Sequence, residues 1–282
     1  MHRPGVDPSR RPFGIPRPRG RRGAGRGISA PVLSRGIRTG LHVTESLIAA
    51  HGRELLDHPD ADPRLVRRNL ADLVKANRWL GGRRALSLGL RRTLGHLPAG
   101  TRLTLLDIGT GSGDLPAYCR TWARARGLTI NPVGLERIPA AARIAAGSGL
   151  ATFIGCASAF PVRPKSVDIV LVSQVVHHFN RDAAVELLRW CDRFARRAVI
   201  MVDLRRSRMA AAGFKIGSRI LGFAPVTIDD GLTSIERGLT TNEAHAMLAD
   251  AGVSAVVTRV APYRLIATWS PRERQQEQTC ER

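Results

Sequence analysis

The sequence predicts an α/β fold: a mostly parallel sheet of seven strands with helices on both faces, preceded by an N-terminal helical cap. Three observations carry this. From residue 101, short runs of Leu, Ile and Val alternate with Ala- and Arg-rich stretches of helical length, the rhythm of parallel strands joined by crossover helices. A glycine-rich turn follows the first of these runs, where open α/β sheets bind ligands. Only Ala261-Pro262-Tyr263 separates the last two runs. That is too short for a crossover helix, so these strands form an antiparallel hairpin.

Taken in chain order, residues 1–40 hold ten arginines, six prolines, eight glycines and one acid, Asp7. Such a segment buries too little apolar surface to offset its ordering entropy and is expected to be disordered. Residues 41–100 form the cap, with helices expected over 43–57 and 63–95. In the second, Leu65, Leu70, Leu73, Val74, Trp79 and Leu80 fall near helical spacing. Asp62 and Pro63 stand at its cap and first turn, and Gly81-Gly82 interrupts it. Residues 101–270 form the main domain. Its strands are expected at Leu103–Ile108, Leu128–Leu135, Ala151–Ile154, Val167–Ser173, Ala198–Asp203, Val253–Val260 and Arg264–Trp269. Its helices are expected at Gly113–Arg126, Pro139–Gly147, Arg181–Arg196 and Thr241–Ala251. Residues 204–240 break the rhythm as an insertion over one end of the sheet, and 271–282 form a second disordered tail.

The formal charge of +21 invites a nucleic-acid reading. Against it, +9 of that charge sits in residues 1–40, and three lysines stand against 41 arginines. That skew reads as coding bias, because phosphate-binding surfaces ordinarily use both residues. No apolar run nears the roughly 18 residues needed to span a bilayer. Cys119, Cys156, Cys191 and Cys280 are spaced by 37, 35 and 89 residues, which fits no zinc knuckle, redox pair or disulfide scaffold. No metal site is expected, and a reducing cytoplasm is the natural compartment.

Three motifs carry chemistry. In Leu105-Leu106-Asp107-Ile108-Gly109-Thr110-Gly111-Ser112-Gly113-Asp114, a buried strand ends in an acid and a glycine-rich turn opens a helix. Glycines there admit positive φ and close backbone approach to a ligand. The dinucleotide fingerprint wants Gly or Ala where Asp114 stands, and a phosphate loop needs Gly-Lys-Ser/Thr, so a pyrophosphate ligand is disfavoured. Glu136, ending the next strand 23 residues past Gly113, is placed to accept both hydroxyls of a ribose. Together they suggest a nucleoside ligand without phosphates. The third motif, Ser166 to Phe179, reads as a buried strand running into a polar loop with His177 and His178, then a helix.

With these residues in place, the chain resembles the class I S-adenosylmethionine-dependent methyltransferases over about residues 103–270. Asp107-x-Gly-x-Gly-x-Gly matches the family's first motif and Glu136 its ribose acid. Asp168 to Phe179 resembles the small-molecule branch that includes the quinone-biosynthesis methyltransferases. Asn77 to Gly82 and Asp230 to Gly238 look like segments of a bacterial subgroup. The resemblance implies a Rossmann-like sheet of six parallel strands and one antiparallel, with S-adenosyl-L-methionine as cofactor. Asp107, Gly109, Thr110, Gly111 and Gly113 should surround its methionine part and Glu136 its ribose. Ser173, which ends the fourth strand, and Gln174 after it are expected to bind the cofactor, and Arg78 would meet the cofactor carboxylate from the cap. At the adenine position the family often shows Gly-Asp-Ala. Here Gly155-Cys156-Ala157 stands instead; Cys156 cannot accept the adenine amino proton as a carboxylate would, while the Ala157 N–H remains a donor.

The candidate bases are His177 and His178, since histidine titrates near neutrality. The alternative is that one of them caps the helix beginning near Asn180. Asp203 ends the fifth strand, either to orient a histidine or substrate hydroxyl or to pair with Arg205 or Arg206. Asp230, Ser234 and Arg237 are expected as a polar turn in the insertion. Phe214, Ile216, Ile220, Leu221 and Phe223 are expected to line an apolar acceptor chamber or to seal the sheet. The Pro-Pro-aromatic signature of amine-directed nucleic-acid enzymes and the Pro-Cys of cytosine-C5 enzymes are both missing. The expected acceptor is therefore a small, aromatic or lipophilic molecule methylated on O or C, rather than nucleic acid. An RNA methyltransferase using the basic tail and a non-catalytic S-adenosylmethionine-binding protein are the alternatives.

Overall fold

The computed structural model describes residues 54–58, 60–159 and 162–271. The expected tail at 1–40, most of the expected helix over 43–57, and all but the first residue of the tail at 271–282 lie outside the described residues. Of that helix, the described part is a 3₁₀ turn, Leu55–Asp57.

The cap contributes α1 (Pro63–Trp79) and α2 (Gly82–Leu94). Asp62 caps α1 by accepting the Arg64 N–H, which leaves Pro63 at a first-turn position where no N–H is needed. The expected interruption falls at Gly81, whose φ of +91° ends one helix and opens the next. The strands are β1 (Arg102–Ile108), β2 (Thr129–Glu136), β3 (Ala151–Ile154), β4 (Val167–Ser173), β5 (Ala195–Leu204), β6 (Val256–Val260) and β7 (Arg264–Trp269). Between them run α3 (Asp114–Arg124), α4 (Pro139–Gly147), α5 (Arg181–Phe194), α6 (Arg208–Ile220), α7 (Pro225–Arg237) and α8 (Thr241–Asp250). Every strand and helix expected over residues 101–270 is present. The largest boundary shifts are at β5, which begins three residues early, and β6, which begins three residues late.

The strand order is β3-β2-β1-β4-β5-β7-β6, with β7 antiparallel to both its neighbours and the others parallel. Central strands are buried on both faces, so they read as continuous apolar runs rather than alternating ones. Side chains divide by parity. Val170, Val172, Val199 and Met201 join Leu187, Leu188 and Phe194 of α5 in one core, whereas Ile169, Leu171, Ile200 and Val202 meet Leu86, Leu90 and Leu94 of α2 in the other. A third cluster packs Val66 and Leu70 of α1 against Ile138, Ala140 and Ala141 at the start of α4. That packing holds the cap over the carboxyl ends of β1 and β2.

The insertion is a pair of helices. The stretch with Asp230, Ser234 and Arg237, expected as a turn, is one face of α7 at i, i+4 and i+7. Gly231 lets α6 approach α7, because a Cβ there would stand 2.2 Å from the Phe214 ring.

Candidate active site

Two cavities open at the carboxyl ends of the parallel strands. The first, about 180 Å³, is floored by the turn after β1. Gly109, Gly111 and Gly113 all have positive φ (71°, 56° and 79°), and a Cβ on Gly109 would come within 2.5 Å of Val175. Glycine is thus required for both the bend and the fit. Glu136 ends β2 with each oxygen engaged: Oε2 accepts the Gly111 N–H at 2.9 Å and Oε1 the Ile138 N–H at 3.0 Å. These bonds fix the carboxylate at the cavity wall and leave lone pairs for a ligand. Asp107 accepts the Thr110 hydroxyl at 2.8 Å. Burial pushes its carboxyl up to about 8, with the charges of Asp114 and Glu136 adding to the effect and Thr110 opposing it.

The first cavity brings together most of the residues the sequence pointed to. Asp107, Gly109, Thr110, Gly111, Glu136, Cys156, Ala157, Ser173 and Gln174 all line it. Gly113 turns the chain as the residue before α3 and does not line the cavity. Arg78 is not in the lining either; its guanidinium stacks over the Trp79 ring. Its neighbour Asn77 reaches in instead, donating to Asp114 at 3.2 Å and accepting from Gln174 Nε2 at 2.9 Å. A signal for Asn77 existed: it continues the Leu70 and Leu73 stripe at helical spacing, while Arg78 lies one step off it.

The second cavity, about 230 Å³, lies beneath α6 and α7. Leu56, Leu73, Gln174 and His178 line both cavities and form the junction between them. Gln174 holds its place with φ of +56°, its backbone N–H tied to the Val202 carbonyl. His177 is 3% exposed. Its Nδ1 lies 2.6 Å from Asp203 Oδ1, and its Nε2 is buried with no partner among the described residues. Asp203 pairs with His177 rather than with Arg205 or Arg206, and it also accepts the Val176, His177 and Leu204 N–H groups. Burial works to raise its carboxyl, but His177 and these bonds hold it below the usual range.

His178 does not cap α5; Asn180 does, accepting the Ala183 N–H. His178 Nδ1 bonds Asp57 at 2.9 Å. Burial disfavours its charged form, yet Glu54 and Asp57 raise its pKa overall. Glu54 accepts Ser234 at 2.7 Å, and Arg237 bridges Glu54 and Asp57 at 3.1 Å each. Asp230 accepts the Leu55 N–H and Asn69 Nδ2. The expected polar group of the insertion is therefore a clasp between α7 and the turn at 55–57. Glu54 and Asp57 form a local capping box across the 3₁₀ turn, but nothing local tells of their partners His178, Ser234 and Arg237, which lie more than 120 residues away.

Of the expected chamber residues, Phe214 lines the second cavity. Phe223 is buried against Phe214 outside the lining, and Leu221 is half-buried outside it. Ile216 and Ile220 face solvent, 61% and 79% exposed. A helix lying over a chamber offers it one face only, and these two occupy the opposite one.

A glycine turn after β1, an acid ending β2 and a reversed seventh strand define a nucleoside-binding α/β domain. Residues 106–202 match the family model described as a methyltransferase domain. Among solved structures the plantazolicin methyltransferase BpumL in complex with SAH is similar at 15% identity and a TM-score of 0.58, covering 82% of this chain and 99% of that one. A SAM-dependent methyltransferase from Aquifex aeolicus aligns at 17% identity and a TM-score of 0.51, covering 75% and 99%. The mitomycin 7-O-methyltransferase MmcR aligns at 21% and 0.51, covering 79% and 62%. These are likenesses of fold. Against curated protein sequences the comparison returns no match. The chain therefore carries a methyltransferase domain over residues 106–202 and is an enzyme, on a fold shared with S-adenosylmethionine-dependent methyltransferases.

The first cavity suits that cofactor. Four acids, Asp57, Asp107, Asp114 and Glu136, line it beside Leu115, Leu135 and Ile138. No cation pairs with Asp107 among the described residues, so a positively charged ligand with a ribose and an apolar base meets the chemistry it needs.

Proposed function

We propose that the enzyme methylates an oxygen or carbon of a small, aromatic or lipophilic acceptor held in the second cavity. The observation that carries this is the junction: the two cavities share Leu56, Leu73, Gln174 and His178, and His177 lines the second with a buried, unpartnered Nε2.

S-adenosylmethionine supplies, when bound, a methyl group on a sulfonium whose departing thioether is neutral, so no leaving group needs protonation. The chain's own residues then have three tasks. Glu136 receives the ribose, and Asp107 with the Gly109–Gly113 turn receives the charged methionine end. Cys156 and Ala157 border the adenine, with the Ala157 N–H as donor; Asn77, Ser173 and Gln174 close the cavity in place of Arg78. Asp203 holds the proton of His177 on Nδ1, so the Nε2 lone pair faces the acceptor and takes its proton. His178, clasped by Asp57, positions the wall between the two sites. Alignment of two confined reactants is worth about 7–11 kcal/mol by itself.

A cavity roofed by α6 and α7 suits a small molecule better than a polymer, which favours this reading over RNA methylation. The expected compartment is the cytoplasm; Cys119 and Cys191 are buried free thiols, and no helix among the described residues is long and apolar enough to cross a membrane.

The test is transfer of labelled methyl from S-adenosylmethionine to a panel of phenols, quinols and polyketide-like compounds. With an acceptor found, His177→Gln lowers kcat about 10²–10⁴-fold while calorimetry shows unchanged S-adenosylhomocysteine binding. An unaltered kcat would remove His177 from the chemistry.

A further inference from the structure

Arg264 opens β7 and lies at the far wall of the second cavity. It is 4% exposed. Its Nε donates to the Leu80 carbonyl at 3.3 Å and its Nη1 to Gln174 Oε1 at 2.7 Å. Both partners are neutral. Among the described residues no carboxylate lies within 4 Å of it, and Nη2 has no hydrogen-bond partner.

A buried guanidinium is ordinarily paired with an anion, because removing the charge from water costs several kcal/mol unless it is compensated. Burial pulls its pKa down to about 10, with Asp203 opposing, so it remains charged at neutral pH. Around it the cavity is largely apolar, with Leu80, Leu204, Ala210, Phe214 and Pro262 in the lining. The two acids that line this cavity, Glu54 and Asp230, and Asp203 outside the lining are already engaged. Glu54 belongs to Arg237 and Ser234, Asp203 lies against His177, and Asp230 is taken by Leu55 and Asn69. The missing counter-charge therefore has to come from what the cavity binds.

We propose that Arg264 is the anion-recognising residue of the second cavity, and that the acceptor carries an oxyanion on an apolar ring: an ionised hydroxyl, an enolate or a carboxylate. The planar guanidinium gives such an oxygen a charge-assisted hydrogen bond. The anion is the handle of the acceptor. The hydroxyl that meets His177 is a second group, because Arg264 enters from β7 and His177 from the turn after β4. The bond to Gln174 links this handle to the junction. Gln174 continues through Asn77 to Asp114 beside the glycine turn, so one hydrogen-bonded chain runs from the anion site to the cofactor cavity.

This assignment rests on the second cavity being the acceptor chamber. The test uses the full chain saturated with S-adenosylhomocysteine and three coumarin probes, followed by calorimetry: neutral coumarin, 4-hydroxycoumarin as the ionised enol, and coumarin-3-carboxylate. Wild-type protein should prefer at least one anionic probe over coumarin by about tenfold or more, and which one is preferred separates the enolate from the carboxylate. Arg264→Gln should abolish the preference while coumarin still binds, with a cooperative circular-dichroism melt showing that the variant is folded. Arg264→Lys, which keeps the charge without the fork, should restore part of it. Equal affinity for all three probes in wild type, or a preference that survives Arg264→Gln, overturns the role of Arg264 alone. Failure of every probe to bind overturns the chamber and the assignment together.

Discussion

Asp107 is protonated at neutral pH without a cationic ligand, because its carboxyl is buried beside two other acids and only Thr110 donates to it. A carboxyl whose folded pKa exceeds its unfolded value makes the folded state lose stability as pH rises between the two, here from 3.8 to about 8. Asp107→Asn keeps the acceptor for Thr110 and removes that loss. Scanning calorimetry at pH 8 without cofactor should show a gain of about 1 kcal/mol, or ~2–4 °C, paired with a loss of S-adenosylmethionine affinity. Wild-type protein should also release a proton when it binds S-adenosylmethionine at pH 7, seen by titration in buffers of different ionisation enthalpy. Glu136→Gln replaces one accepting oxygen with a donor facing either Gly111 or Ile138. An unpaired N–H and a weakened ribose contact should cost about 1–3 kcal/mol of cofactor binding. The acids of this cavity were legible in the sequence because a strand, a turn and the next strand's end stand within 30 residues of one another. Arg264 was not, because nothing local to a strand's first residue tells that its charge is left unpaired.

The cap and the insertion meet through polar contacts that span the chain. On one side Asp72 of α1 accepts the Ala224 N–H at 2.8 Å and so ties the start of α7. On the other, Arg237 at the end of α7 bridges Glu54 and Asp57. Arg237→Met would leave both carboxylates buried without their guanidinium, at a cost of about 3–5 kcal/mol, whereas Ser234→Ala removes one hydrogen bond at about 1 kcal/mol. Urea unfolding measures the difference, and both variants should raise the KM for the acceptor more than that for the cofactor. Helical periodicity located α1 and α2 and their break at Gly81. It did not locate α7, since Asp230, Gly231 and Thr233 are weak helix formers that tertiary contacts override. Nor did it say which face of α6 turns inward, because Phe214, Ile216 and Ile220 are all apolar and packing alone sorts them.

At the scale of the whole molecule, the alternation of strand and helix and the short loop before β7 were enough to foresee the sheet with its one reversed strand. Local pattern fixes such features, because crossover handedness and loop length leave few topologies. The meeting of two cavities was not foreseen, since it depends on where α1, α6 and α7 lie relative to the strand ends. In the proposed function this meeting is what distinguishes a catalyst from a binder: a donor cavity joined to an acceptor cavity through Gln174 and His178. A crystal structure of the S-adenosylhomocysteine complex tests this most directly. The expected result is ribose hydroxyls on Glu136 and the thioether end at the junction lined by Leu56, Leu73, Gln174 and His178. A nucleoside lying in the second cavity, or a thioether turned away from that junction, would contradict it.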